Sequence, residues 1–428
     1  MTETLAPTRS QAGRAPHLRR HSAPGPAPRG QSTPGTAPVP AQLTTARGAA
    51  LYIGALLGPG LLLLPGLAAA AAGPASVLAW AGLLVLSGLF AVVFGALGRT
   101  FPSAGGIIGY VRAGLGARAG AIAGWSFLAG VVAGAPVVCL IGAGYVTELT
   151  GGGTPARALI AALLLVALLI VVVTVAVAGS AGQARAANWT PFAPHGWQAV
   201  GHAASVLMLS FVGWEAAAPL TTRFADPARQ LPRVIGIALG VTSVLYLGLA
   251  VATIGVLGTG GAGGATGAPL AALLRDAAGT AGTVAAAVAA VVLTLGAVNA
   301  YVSGAAEMTR ELTRRGPAIP GAGSARPAPR FLAAVAVSGL AVIALYGLGL
   351  ASPAALVALP TTLFLVVYLG CMTSAVRVLR GPARLAAAPA AVIVALVLGY
   401  CGWALLAPAL VALAVVAWPA RPRRSREA

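Results

Sequence analysis

The chain has 428 residues, 58% hydrophobic and only 8% charged, with a formal net charge of +19. A soluble domain carries about 25% charged residues to solvate its surface, so this composition excludes a soluble globular protein. The positive balance does not indicate nucleic acid either, because basic stripes interleaved with stacking aromatics are missing.

Residues 1–46 are rich in Pro, Ala, Gly, Ser and Thr and are expected to form a disordered tail carrying Arg9, Arg14, Arg19, Arg20 and Arg29. They do not make a signal peptide, since the apolar run arrives late, is long and leads into further spans. A polytopic domain is expected over 47–419. Its apolar blocks run at 49–73, 76–98, 119–147, 156–178, 199–221, 233–258, 279–306, 331–350, 354–378, 385–401 and 403–419. Blocks of about 20 apolar residues suit the hydrocarbon thickness of a bilayer. Backbone inside lipid must satisfy itself, which makes the blocks helices and the fold an all-α membrane protein. Between the second and third blocks, 99–118 is amphipathic and basic, and 420–428 is a second basic tail. Cys139, Cys371 and Cys401 lie within apolar segments without paired spacing, so they read as packing residues. His17, His21, His195 and His202 have no metal-ligand spacing.

Arginine-rich loops stay cytoplasmic, which puts both termini on the cytoplasmic side and lets the spans be counted; the use of Arg and never Lys, beside abundant Ala and Gly, points to a GC-rich bacterial genome and so to a bacterial cell membrane. With the N-terminus inside, 99–118 is inside and 148–155 outside. If 156–178 crosses once and 199–221 crosses back, then Arg223–Arg233 and the loop holding Arg310, Arg314, Arg315, Arg326 and Arg330 fall outside. That is the wrong side, so one crossing is missing between 148 and 222.

Two blocks carry helix breakers at mid-depth: Leu56-Leu57-Gly58-Pro59-Gly60-Leu61, with a further break at Pro65, and Ser210-Phe211-Val212-Gly213-Trp214-Glu215, followed by Pro219. In a helix interior Gly costs about 1 kcal/mol and Pro about 3. A pair of interrupted spans is the best sequence pointer to the binding site of a secondary transporter. Bare N–H groups at a half-helix start hold a carboxylate, and freed carbonyls suit an ammonium. The competing explanation is that Gly and Pro are common in membrane helices.

GALLGPGLLLLPGLAAAAAGP (54–74), TFPSAGGIIGYVRAGLGARAGAIAGW (100–125) and SFVGWEAAAPLTTRFADPARQLPRVI (210–235) resemble, in this order, three motifs of the amino acid–polyamine–organocation superfamily. Within that superfamily, the motifs at 56–60 and 211–215 resemble the bacterial exporter type for methionine and branched-chain amino acids. The resemblance implies a LeuT-like transporter fold of two inverted five-helix repeats plus two peripheral helices, and a site built on Leu57, Gly58, Pro59 and Gly60. Phe211, Gly213 and Trp214 would add pocket and gate, and Asn299 a polar group from a pocket-lining span. Two departures stand out. Pro59 has no N–H to give, which leaves Gly60 to carry more of the anion cradle. Only the 156–178 block occupies the place of the family's fourth and fifth spans, so about 11 spans stand for 12: either roughly one helix and its loop are absent, or this block enters and leaves without crossing.

Ionisable groups within the membrane are functional suspects by default. Glu215, at the second break, is a candidate for proton coupling or gating, or else caps unwound backbone; Glu307 reads as an interfacial charge. The function expected is secondary active transport of small neutral or hydrophobic L-amino acids by alternating access. The alternatives are a transport-inactive, deletion-bearing relative and, remotely, a membrane-embedded enzyme, for which convergent His/Asp/Glu are lacking. The implied partners are an amino-acid substrate and the lipid bilayer, with no nucleic acid, no cofactor and no metal.

Overall fold

The computed structural model describes residues 43–58, 60–101, 106–142, 177–179, 181–214, 224, 226–258, 269–315 and 329–417. Their regular structure is helical apart from a single bridge between Leu43 and Phe224. Thr44 starts the first helix, its hydroxyl accepting the Arg47 N–H at 3.3 Å. Helix α1 (Thr45–Leu56) stops at the Gly-Pro-Gly sequence and α2 (Gly60–Ala72) restarts beyond it. The further break expected at Pro65 does not occur: α2 runs through it. Six residues into a helix that has just restarted, the proline removes one helical hydrogen bond without ending the helix.

The remaining helices are α3 (Ser76–Thr100), α4 (Gly106–Leu115), α5 (Ala117–Gly142), α6 (Gln198–Leu207), α7 (Pro227–Ala252), α8 (Pro269–Arg315), α9 (Pro329–Gly347), α10 (Pro353–Val378), α11 (Pro382–Gly399) and α12 (Leu406–Ala417). The Asp-Pro-x-Arg sequence is the start of α7. Asp226 accepts from the Arg229 N–H at 3.2 Å, Gln230 accepts from the Asp226 N–H at 3.0 Å, and Pro227 takes the first helical position. The Asp226–Arg229 ion pair, 3.8 Å apart and exposed, adds little to that cap. Within α8 the backbone leaves helical geometry at Ala278 and Gly279. By length and hydropathy, five described stretches suffice to cross a membrane, and six if the pair Pro269–Gly282 and Val284–Thr294, bent by 108°, counts as one. Most of the 156–178 block lies outside the described residues.

Contacts sort the helix termini into two ends. At one, Gly48 of α1 meets Phe224 and Val234, Gly95 of α3 meets Ile235, and Gly114 of α4 meets Ser374. Arg377 donates to the Gly114 carbonyl at 3.2 Å. Arg47, Arg99, Arg112, Arg118, Arg229 and Arg233 belong to helix termini gathered at this end. At the opposite end, Ala75 donates to the Phe192 carbonyl and Arg185 N–H to the Gly255 carbonyl, at 2.8 and 2.9 Å. Helix α5 starts at the arginine end, where Gly120 lies on Arg112, and reaches Pro360 of α10 at Gly134. It therefore departs toward the opposite end. The chain reappears there too, with Val177 beside Gly248 and Gly179 beside Ala277. The loop that follows clasps a π-helical turn (Thr253–Leu257) ending α7, where Asn188 Nδ2 donates to Gly255 O at 2.7 Å and Val256 O at 3.3 Å.

The core runs through the bundle axis and includes Trp80, Phe90, Phe211, Trp214, Tyr246, Phe364 and Tyr368. Large apolar side chains also point outward, Val244, Leu340, Leu396 and Leu410 among them. Such a surface is costly in water and neutral in hydrocarbon. The architecture is an all-α membrane fold with two interrupted helices at its centre, consistent with the LeuT-like arrangement.

Candidate functional site

Both expected interruptions are present, and they touch. After Leu56 the chain turns non-helical at Leu57, whose N–H still reaches the Ile53 carbonyl at 2.7 Å, and the Leu61 N–H bonds the Gly58 carbonyl at 3.1 Å across the break. The second helix, α6, tightens into a 3-10 turn over Met208–Phe211, becomes extended at Val212 and passes through Gly213 at φ 147. That backbone region favours glycine, which accounts for Gly213 in the sequence. Gly60 is glycine for a different reason: a Cβ there would stand 2.6 Å from Ser210 Oγ and 3.1 Å from Ser210 Cα. The two breaks therefore meet backbone to backbone at Gly60 and Ser210.

Unwound peptide groups at this depth need partners, because neither water nor lipid can supply them. Two tyrosines serve. The Tyr246 hydroxyl, from α7, lies 2.8 Å from the Leu56 carbonyl and 3.0 Å from the Ser210 carbonyl, and so shares its proton between the two breaks. The Tyr368 hydroxyl, from α10, accepts the Gly213 N–H at 3.2 Å and reaches the Phe211 carbonyl at 3.4 Å. Aromatic packing fixes both rings: Tyr246 stacks on Trp80 at 5.1 Å, and Tyr368 meets Phe90 edge-on at 4.6 Å. Each carbonyl oxygen has two lone pairs, and the helix dipoles run negative at the close of α1 and positive at the start of α2.

The sequence-predicted residues separate as follows. Leu57, Phe211 and Trp214 are buried, while Gly58 is partly open and a Cβ on it would meet nothing within 4 Å. Gly58, Gly60, Phe211 and Gly213 are brought to one locus by the two breaks. Trp214 turns to α3, where its Nε1 donates to Ser87 Oγ at 2.8 Å, and packs on Tyr52. Pro59 and Glu215 lie outside the described residues, and Asn299 is on α8 with its side chain outside them. Tyr246, Tyr368, Trp80 and Ser87 escaped the sequence reading. The available signal was a tyrosine near the middle of an apolar helix instead of at its membrane interface, where aromatic belts form; a buried hydroxyl there requires a partner.

A sequence profile described as amino acid permease matches residues 43–190 and 156–426, so that 156–190 is matched twice. The amino acid permease YecA of Bacillus subtilis is 33% identical over 399 residues, covering 87% of this chain and 94% of its own length. Since 87% of 428 residues is about 372, about 27 of the 399 aligned positions have no residue in this chain. The L-methionine/branched-chain amino acid exporter YjeH of Escherichia coli is 32% identical over 235 residues, 50% of this chain and 56% of its own. Among solved structures, a manganese transporter of Eremococcus coleocola aligns with 87% of this chain and 91% of its own at 10% identity and a TM-score of 0.42. The profile and YecA together take in nearly the whole helical body, both breaks included, and the chain belongs to the amino acid permeases of the amino acid–polyamine–organocation superfamily, which are transporters and not enzymes.

Proposed function

We propose that this permease moves small neutral or hydrophobic L-amino acids by alternating access, with the zwitterion held where the two broken helices meet. The carrying observation is the contact of Gly60 with Ser210, which joins a half-helix N-terminus to the freed carbonyls of α1 and α6 within one dehydrated centre. The substrate carboxylate sits at the start of α2, against Gly58 and Gly60, and the ammonium takes the remaining lone pairs of the Leu56, Ser210 and Phe211 carbonyls. Phe211 forms the apolar wall, and the family likeness adds Leu57, Pro59, Gly213, Trp214 and Asn299 as further substrate-site candidates. Glu215 gates or couples protons. The apolar surroundings and the likeness to a methionine/branched-chain exporter favour hydrophobic side chains. The arginine-bearing end faces the cytoplasm of the bacterial cell, in keeping with the positive-inside bias.

Flux of labelled leucine and methionine in proteoliposomes tests this reading. Saturable flux above that of empty liposomes is expected; its absence with folded protein rejects transport. One observation favours a second reading, a transport-inactive relative: the twice-matched stretch 156–190 and the roughly 27 uncovered positions amount to about one span, and five spans of separation, not four, invert the second repeat. The same flux measurement separates the two.

A further inference from the structure

The start of α2 lacks one donor by sequence, because Pro59 has no N–H. A second is used internally, as the Leu61 N–H is bonded to the Gly58 carbonyl. The cradle expected to hold the most charged end of the substrate is therefore short of hydrogens. Beside it stands a hydroxyl that makes no hydrogen bond among the described residues. Ser210 is 2% exposed, and its Oγ has no hydrogen-bond partner among the described residues. It faces Gly60, 2.6 Å from the place of the missing Cβ. Its backbone is fixed, since its carbonyl is held by Tyr246 at 3.0 Å. Buried hydroxyls in native proteins are nearly always satisfied, and an orphan aimed at a half-helix N-terminus marks a place for an acceptor.

We infer that the Ser210 hydroxyl donates to the substrate carboxylate and takes the place of the N–H that Pro59 lacks. This rests on the transport reading above and names a further specificity-determining residue for it. The consequence is a specific preference. A hydroxyl donating to a charged oxygen makes a shorter, stronger bond than one to a neutral oxygen, so Ser210 favours free amino acids over their amides. Gly60 is required for the approach, and any side chain there would push the hydroxyl out of reach.

The test compares wild type with Ser210→Ala in proteoliposomes, measuring leucine flux and its inhibition by leucinamide. The substitution removes an orphaned polar atom, so the fold is not penalised. The expected result is a KM for leucine raised about tenfold or more, as for loss of a hydrogen bond to a charged group, with the maximal rate kept. The preference for leucine over leucinamide narrows in parallel. In a Pro59→Gly background, which restores a backbone N–H, the same substitution has a smaller effect, a coupling readable as a double-mutant cycle. Wild-type flux with an unchanged KM in Ser210→Ala overturns the inference and leaves the transport reading intact, as does an equal loss toward leucine and leucinamide. No flux in the wild type overturns the transport reading and the inference with it.

Discussion

A hydroxyl at the centre of an apolar bundle is tolerated only if something nearby accepts its proton, and at Tyr246 and Tyr368 that something is backbone released by the broken helices. Tyr246→Phe keeps the ring and its stacking on Trp80 but strips a partner from the Leu56 and Ser210 carbonyls. It is expected to lower stability by about 1–2 kcal/mol, seen as a reduced melting temperature in detergent; an unchanged melting temperature contradicts the role. The two glycines of the first break make opposite predictions. Gly60→Ala drives a methyl group to 2.6 Å from Ser210 Oγ, which costs about 1–3 kcal/mol of overpacking and should abolish flux. Gly58→Ala meets nothing within 4 Å, so it should express and melt like wild type while narrowing the opening for substrate, raising KM. Thermal melts and flux on the two variants check both. These distinctions were not legible in the sequence: Gly58 and Gly60 read there as equal members of one motif, and only their opposite surroundings separate them.

The interruptions themselves were legible at the scale of the element, because Gly-Pro-Gly works against helix over three consecutive positions and the Phe-Val-Gly stretch ends a run of helix formers. Pro65 read as a break and was not one. Propensity prices a single residue, whereas a helix already restarted at Gly60 holds its bonds on both sides of the proline. The Asp226 cap was readable from its Asp-Pro start, although as sequence it stood only for family likeness. The clasp of Asn188 on the π-helical end of α7 was not readable, since it joins residues 67 and 68 positions apart. It satisfies carbonyls that a π turn leaves exposed. Asn188→Ala should speed hydrogen exchange over Thr253–Leu257 by releasing that end; unchanged protection there would show that the clasp is incidental.

Across the whole molecule, the arginines and the helix packing tell one story. Helix α5 leaves toward the end opposite Arg47, Arg99 and Arg112, and Val177 lies at that same end beside Gly248. The sequence count places a discrepancy between 148 and 222 from loop charge alone; most of the residues that would carry it lie outside those described, and the stretch matched twice, 156–190, falls within that interval. A reporter fused after Ala428 should accordingly report from the cytoplasm, and a periplasmic signal would contradict the orientation. The central claim is that peptide groups bared by two touching breaks hold both ends of a zwitterion. Calorimetric titration of the purified protein with leucine, leucinamide and 4-methylpentanoate tests it most directly. The account predicts saturable binding of leucine and at least about tenfold weaker binding (1.4 kcal/mol) of each analogue that lacks one charged end; equal binding of all three, or of none, would contradict it.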